Sequence, residues 1–128
     1  MPFDRSAGRR SLASEGEQLA AEHLARAGYR IVARNVRADG VEIDLVATRG
    51  SLVVFVEVKT RSGRGFGAPE EAVDARKCAR LVRGARAWLH AHGPRHARAR
   101  FDVIAVEPDR DGVLRVRHLP DAFDASGC

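Results

Sequence analysis

Residues 42–60 read EIDLVATRGSLVVFVEVKT. Two alternating runs, Glu42–Arg49 and Leu52–Thr60, flank Gly50-Ser51, and two residues is the favoured loop length for a β-hairpin. With that loop Arg49 faces Leu52, and counting outward sets Asp44 opposite Glu57 and Glu42 opposite Lys59. Side chains alternate along a strand, so Glu57 and Lys59 share a face. All four charged groups therefore project from one face near one end of the hairpin. Directly opposed residues hold their Cβ atoms about 4.5–5.5 Å apart. Two carboxylates at that distance repel unless a proton or a cation sits between them, and Mg²⁺ suits such a place because it takes carboxylate oxygens and keeps several waters. Val46 and Phe55 extend the charged face. Ile43, Leu45, Val54, Val56 and Val58 make the other, so the sheet is expected to be covered on both sides. The plainer alternative is a solvated charged edge with a Glu42–Lys59 cross-strand ion pair.

Working outward, Leu12, Leu19, Ala20, His23, Leu24 and Ala27 follow three- and four-residue steps, so 11–27 reads as a helix stopped by Gly28. Gly16 and Ala20 are small enough to let that helix approach a sheet closely, and between them Glu17 offers another acid. Tyr29–Arg37 reads as a strand. Ser62–Ala68 is a glycine-rich loop, and Pro69 suits the first turn of a second helix, with Glu70 and Glu71 favourable near its N-terminus. That helix is expected to end near His92, at Gly93-Pro94. Arg100–Glu107 reads as a strand, Asp111-Gly112 as a turn, and Val113–His118 as a short final strand. The expected fold is α/β, in the order α-β-β-β-α-β-β, with a central mixed sheet flanked by helices. The expected organisation is a flexible segment 1–10, one domain over 11–120 and a C-terminal tail 121–128.

The 128 residues carry a formal charge of +5. Of 22 basic residues all but Lys59 and Lys77 are Arg. That bias makes most arginines compositional background and the two lysines informative. An exposed ion pair would tolerate Arg at position 59; a site needing a compact ammonium beside a phosphate would not. No run approaches the roughly 18 apolar residues of a membrane span, and the N-terminus lacks the apolar stretch of a signal peptide. Two cysteines, Cys78 and Cys128, are too few for a disulfide scaffold. A cytoplasmic location is expected.

Asp44 followed by Glu57-Val58-Lys59 resembles the PD-(D/E)xK nuclease motif. The segments GEQLAAEHLARAGYRIVARNVR, EIDLVA, LVVFVEVKTRS, FGAPEEAVDARKCARL and RFDVIAV resemble, in order and spacing, the YraN-like family of predicted endonucleases, over roughly residues 8–107. That family is similar to the archaeal Holliday-junction resolvases, so the resemblance implies a restriction-endonuclease-like fold. It further implies Asp44 and Glu57 as metal ligands with the main-chain carbonyl of Val58, and Glu17 as an accessory acid at the metal site. Lys59 would orient or activate the attacking water, and Lys77 would contact a phosphate. One departure stands out: the family has Gly directly before Glu-Ile-Asp, where this chain has Val41 preceded by Gly40.

The expectation is thus a metal-dependent DNA endonuclease using Mg²⁺ or Mn²⁺, with branched or otherwise structured DNA of repair or recombination as a candidate substrate. DNA is the expected partner, without membrane or small-molecule cofactor, and a homodimer is left open. The alternative is a nucleic-acid-binding module on the same fold that does not cleave. Arg76, Arg80, Arg83 and Arg86 form a basic stripe on the second helix, either a solvated face or a nucleic-acid contact. Arg61, Arg64 and Phe66 lie in or beside the glycine loop and could approach a phosphate backbone. His90, His92 and His96 fall at a helix end, where cations are favoured anyway. Trp88 and Cys78 are expected in the core.

Overall fold

The computed structural model describes residues 5–62, 74–94 and 97–125. The elements are α1 (Arg5–Arg26), β1 (Arg30–Ala38), β2 (Val41–Arg49), β3 (Leu52–Thr60), α2 (Ala75–His92), β4 (Arg98–Pro108) and β5 (Leu114–Phe123). The order is the expected one. The five strands form one sheet in chain order, antiparallel except for the β3–β4 pair, which α2 joins as a crossover. The protein is an α/β domain with a mixed sheet and a helix on each face.

Several boundaries differ from expectation. The first helix opens at Arg5, inside the segment expected to be flexible. The second begins at Ala75 rather than at Pro69: Asp74 has extended backbone and its side chain caps the helix by accepting from the Lys77 N–H, so a helix could not run through it. Pro69, Glu70 and Glu71 lie outside the described residues. The last strand runs to Phe123, past the start of the expected tail, because Phe123 stacks on Phe101 at 4.8 Å and is buried there.

Two tight turns set the register of the first three strands. Asp39 and Gly40 both have positive φ (49° and 72°) between the paired residues Ala38 and Val41. That is the pattern of a type I′ hairpin loop. Gly40 is therefore required by its turn, and the displaced glycine of the family pattern is accounted for. Val41 opens β2 against α2, where a Cβ on Gly84 would come within 2.9 Å of the Val41 Cβ. At the second turn Gly50 alone has positive φ, and Arg49 pairs with Leu52 as expected.

Each sheet face has its own core. Under α2 lie Val41, Ile43, Val46, Val53, Phe55, Phe101 and Val103 with Cys78, Leu81, Ala85 and Trp88. Under α1 lie Leu45, Ala47, Val54, Val56, Ile104 and Val106 with Ala20, Ala21, Leu24 and Tyr29. Ile43 and Leu45, expected on one face, thus sit on opposite faces. The alternation of β2 breaks between them, at Asp44. Across from it in β1, Asn35 has φ 49°, and neither residue takes part in the β1–β2 pairing. At the close approach of α1, a Cβ on Gly16 would overlap Thr60 Oγ1 and lie 3.0 Å from its Cβ and Cγ2. No helix among the described residues is long and apolar enough to cross a membrane.

Candidate active site

The break in β2 opens the sheet. The β2–β3 ladder runs from Arg49–Leu52 to Leu45–Val56 and stops one pair short of Asp44 and Glu57. Beyond that point Val41–Ile43 stay with β1, while Glu57–Thr60 stay with β4. The strands part, and the Val58 N–H, which has no strand partner on that side, donates to Asp44 Oδ2 at 2.8 Å. A carboxylate side chain bridges the gap where the ladder has ended.

Asp44 and Glu57 both line a cleft of about 490 Å³ together with Val41, Glu42, Asp74, Arg76, Lys77, Arg80 and Leu81. The strands supply acids from one wall and the first turns of α2 supply cations from the other. Burial pushes the Asp44 carboxyl up to about 7; repulsion from Glu57, Glu17 and Glu42 adds to this, and the Val58 N–H opposes it. The repulsion expected from the register count is therefore present, although the strands no longer pair at Asp44 and Glu57. Lys77 Nζ sits 2.6 Å from Glu57 Oε1, in an ion pair the hairpin alone could not reveal.

The other expected site residues divide. Glu17 is half-buried on α1 and accepts from Asn35 Nδ2 at 3.0 Å, at the same break in the sheet. Lys59 is half-buried two residues beyond Glu57, and its side chain makes no ion pair or hydrogen bond among the described residues. The Glu42–Lys59 pair is therefore not formed, because the ladder that would oppose them ends earlier. Arg76 and Arg80 are exposed at the cleft. Arg83 is turned away, with Nε 3.1 Å from Asp39 on the β1–β2 turn. The Arg61 N–H donates to the Val106 carbonyl, which fixes the exit of β3. Arg64, Phe66 and His96 lie outside the described residues. His90 and His92 are exposed at the end of α2, His92 against the Trp88 ring.

No group of three or more His, Cys, Asp or Glu side chains among the described residues is arranged to hold a metal ion. The donor chemistry at the break is nonetheless that of a hard cation: two carboxylates, one of them desolvated, beside an open strand edge. In an extended strand the N–H and C=O of one residue point to the same side, so the Val58 carbonyl faces the gap where its N–H meets Asp44. Mg²⁺ is bound through one or two carboxylates plus waters and substrate phosphate, without an all-protein cage. Asp44, Glu57 and the Val58 carbonyl fit it.

A second polar network lies on the α1 face. Asp102, 1% exposed, accepts two bonds from Arg100, one from the Asp121 N–H and one from His118 Nε2. His118 Nδ1 meets His23 Nε2 at 3.1 Å, and Arg100 also donates to the Tyr29 hydroxyl. Burial raises the Asp102 carboxyl, but the bonds from His118, Arg100 and Asp121 outweigh it and hold the group below its ordinary value. The only sequence signal for this cluster is an acid inside the otherwise apolar run of β4.

The model of an uncharacterised protein family, UPF0102, matches residues 16–106. A UPF0102 protein of Symbiobacterium thermophilum is 53% identical over 116 residues, covering 91% of this chain and 98% of its own. One from Anaeromyxobacter dehalogenans is 47% identical over 120 residues, covering 94% of this chain and 89% of its own. The chain belongs to UPF0102. This is the YraN-like family its motifs resemble. The matched residues take in Glu17, the splayed hairpin and α2, and so every described part of the cleft. Among solved structures, SfsA of Pyrococcus furiosus in complex with Ca²⁺ is similar at a TM-score of 0.42 and 15% identity, over 87% of this chain and 64% of that one. That likeness is too distant to bear on function.

Proposed function

We propose that this UPF0102 protein is a metal-dependent DNA endonuclease that hydrolyses phosphodiester bonds in the cleft between β2, β3 and α2. The observation that carries the reading is the parting of β2 from β3 at Asp44 and Glu57. It turns a closed ladder into a notch with two carboxylates and a main-chain edge, facing cations on α2. A sheet held for stability alone gains nothing from repelling carboxylates at the margin of its core.

Asp44, Glu57 and the Val58 carbonyl would hold Mg²⁺ or Mn²⁺. When bound, such an ion polarises a phosphoryl oxygen and lowers the pKa of a coordinated water. The rest of the work falls to the chain. Asp44 presents its carboxylate in a fixed pose because the Val58 N–H holds one oxygen. Lys59 Nζ, without an ion-pair partner among the described residues, orients the attacking water and offsets charge developing on the phosphate oxygens. Arg76 and Arg80 offer planar guanidinium groups to flanking phosphates. Glu17, tied to Asn35, adds negative charge beside Asp44 and favours a cation there. Branched DNA of repair or recombination is the substrate class to test first.

The test incubates the purified protein and its Lys59→Ala variant with single-stranded, duplex and four-way-junction DNA, in Mg²⁺, Mn²⁺ or EDTA. Metal-dependent cleavage is expected, lowered by Lys59→Ala by roughly 100-fold or more, the scale of losing one charge-stabilising group. Salt-sensitive binding without cleavage, unchanged in the variant, would instead make the protein a binding module.

A further inference from the structure

Lys77 is placed against the local electrostatics. It lies in the first turn of α2, its N–H donated to Asp74 Oδ1 at 2.9 Å, and that turn holds no acidic residue. The N-terminus of a helix carries partial positive charge and disfavours cations. Yet Arg76 and Lys77 are consecutive there, and Arg80 follows one turn on. Asp74 caps the Lys77 N–H, and Glu57 balances the ammonium itself: Nζ to Oε1 is 2.6 Å, with the Glu57 side chain 13% exposed and that of Lys77 39%. Of the cations lining the cleft among the described residues, Lys77 is the one paired with a carboxylate of the splayed strands. It neutralises the carboxylate that the proposed function assigns to a metal.

We infer that Lys77 is the resident counter-ion of Glu57, displaced when a divalent cation enters the cleft and thereby released to bind a phosphate of the nucleic acid. This rests on the reading of the cleft as a metal-dependent nuclease site. Lys77 and the ion would compete for the Glu57 carboxylate, one oxygen of which Lys77 already holds. A freed ammonium would lie in the first turn of α2, beside Arg76 and one turn before Arg80, on the wall of the cleft that carries the cations. The ion pair would thus withhold one cation, Lys77, from DNA phosphate until the metal is in place. Lys77 is a positioning and binding residue in this scheme, distinct from Lys59.

Two measurements test it. Calorimetric titration with Mg²⁺ and with Mn²⁺ compares wild type, Lys77→Met and Arg80→Met. Lys77→Met should bind metal about tenfold more tightly, an ordinary size for coupling between two sites. Arg80→Met, which removes a cation of the same cleft without the Glu57 contact, should change affinity by less than about threefold, since exposed charges are screened. The second measurement follows DNA affinity against salt in a Lys59→Ala background that suppresses cleavage. The slope should steepen by about 0.9, one phosphate contact, between EDTA and Mg²⁺. That increment should vanish in Lys59→Ala/Lys77→Met. Equal metal affinity in wild type and Lys77→Met refutes the displacement and leaves the nuclease reading intact. An Arg80→Met effect as large as that of Lys77→Met refutes it too, by reducing it to general charge. If no form binds metal while all remain folded by circular dichroism, the nuclease reading itself falls. Lys77→Gln repeats the comparison should Lys77→Met not fold.

Discussion

Replacing Asp44 by Asn should make the metal-free protein more stable at neutral and alkaline pH. Asn is isosteric, and its Oδ1 can still accept the Val58 N–H, so what is lost is the charge. The Asp44 carboxyl is raised from 3.8 to about 7, mainly by burial and then by Glu57. A raised folded-state pKa means that the native chain binds more protons than the unfolded one between those values, so stability falls as pH rises through the window. For a shift from 3.8 to about 7, linkage gives a loss of about 3 kcal/mol between about pH 4.5 and pH 8. Asp44→Asn should remove most of it. The variant should match wild type near the acid end and exceed it by up to about 3 kcal/mol at the alkaline end, roughly 10 °C in Tm for a domain of this size. Urea and thermal unfolding in EDTA, followed by circular dichroism across the pH range, measure this directly. Parallel pH profiles for the two proteins, or a variant less stable at pH 8, would refute the claim that Asp44 is held against its own charge. Adding Mg²⁺ should stabilise wild type and leave Asp44→Asn unmoved, the ion taking the place of the proton.

Asp102→Asn should destabilise the fold by about 3–5 kcal/mol, because Arg100 would be left without its buried partner. The lowered Asp102 pKa gives wild type stability above the ordinary carboxylate value, lost as pH falls through the lowered one. An acid titration of both proteins should therefore converge at low pH. Gly16→Ala should cost on the order of 1 kcal/mol despite the better helix propensity of Ala, since its Cβ would overlap Thr60. Gly16→Ala/Thr60→Ala should recover that loss, and additive single-variant effects in a double-mutant cycle would disprove the contact.

How much of this was legible depends on how local the signal is. The Gly50-Ser51 loop and the alternation around it set the hairpin register, and Arg49 does pair with Leu52. Asp44 and Glu57 could be brought to one cleft by counting. The sheet's parting at those residues could not, because it depends on Asn35 in the neighbouring strand and on which helix claims Ile43 and which Leu45. The Asp39-Gly40 pair is as clear a turn signal as the sequence contains, and it explains why glycine stands one place earlier than in the family pattern. The start of α2 turned on a cap: Pro69 is a good opener, but Asp74 with its side chain on the Lys77 N–H is the one used. The Lys77–Glu57 pair joins residues 20 positions apart, and the Asp102 network reaches from Asp102 to His118 at 16, Arg100 to Tyr29 at 71 and His118 to His23 at 95, beyond any local pattern.

Where β2 leaves β3, the sheet becomes two panels. One holds β1 and β2, the other β3, β4 and β5; the helices pack across both, and within the sheet they are joined by five residue pairs and by the Asp44 carboxylate on the Val58 N–H. The last of these joints is a side chain whose charge follows what occupies the cleft. An ionised carboxylate accepts more strongly than a neutral one, so the stiffness of the seam between the panels varies with proton or cation occupancy. The Val58 amide, the one backbone donor on that joint, is thereby a strain gauge, and its resonance can follow the filling of the notch from inside the sheet.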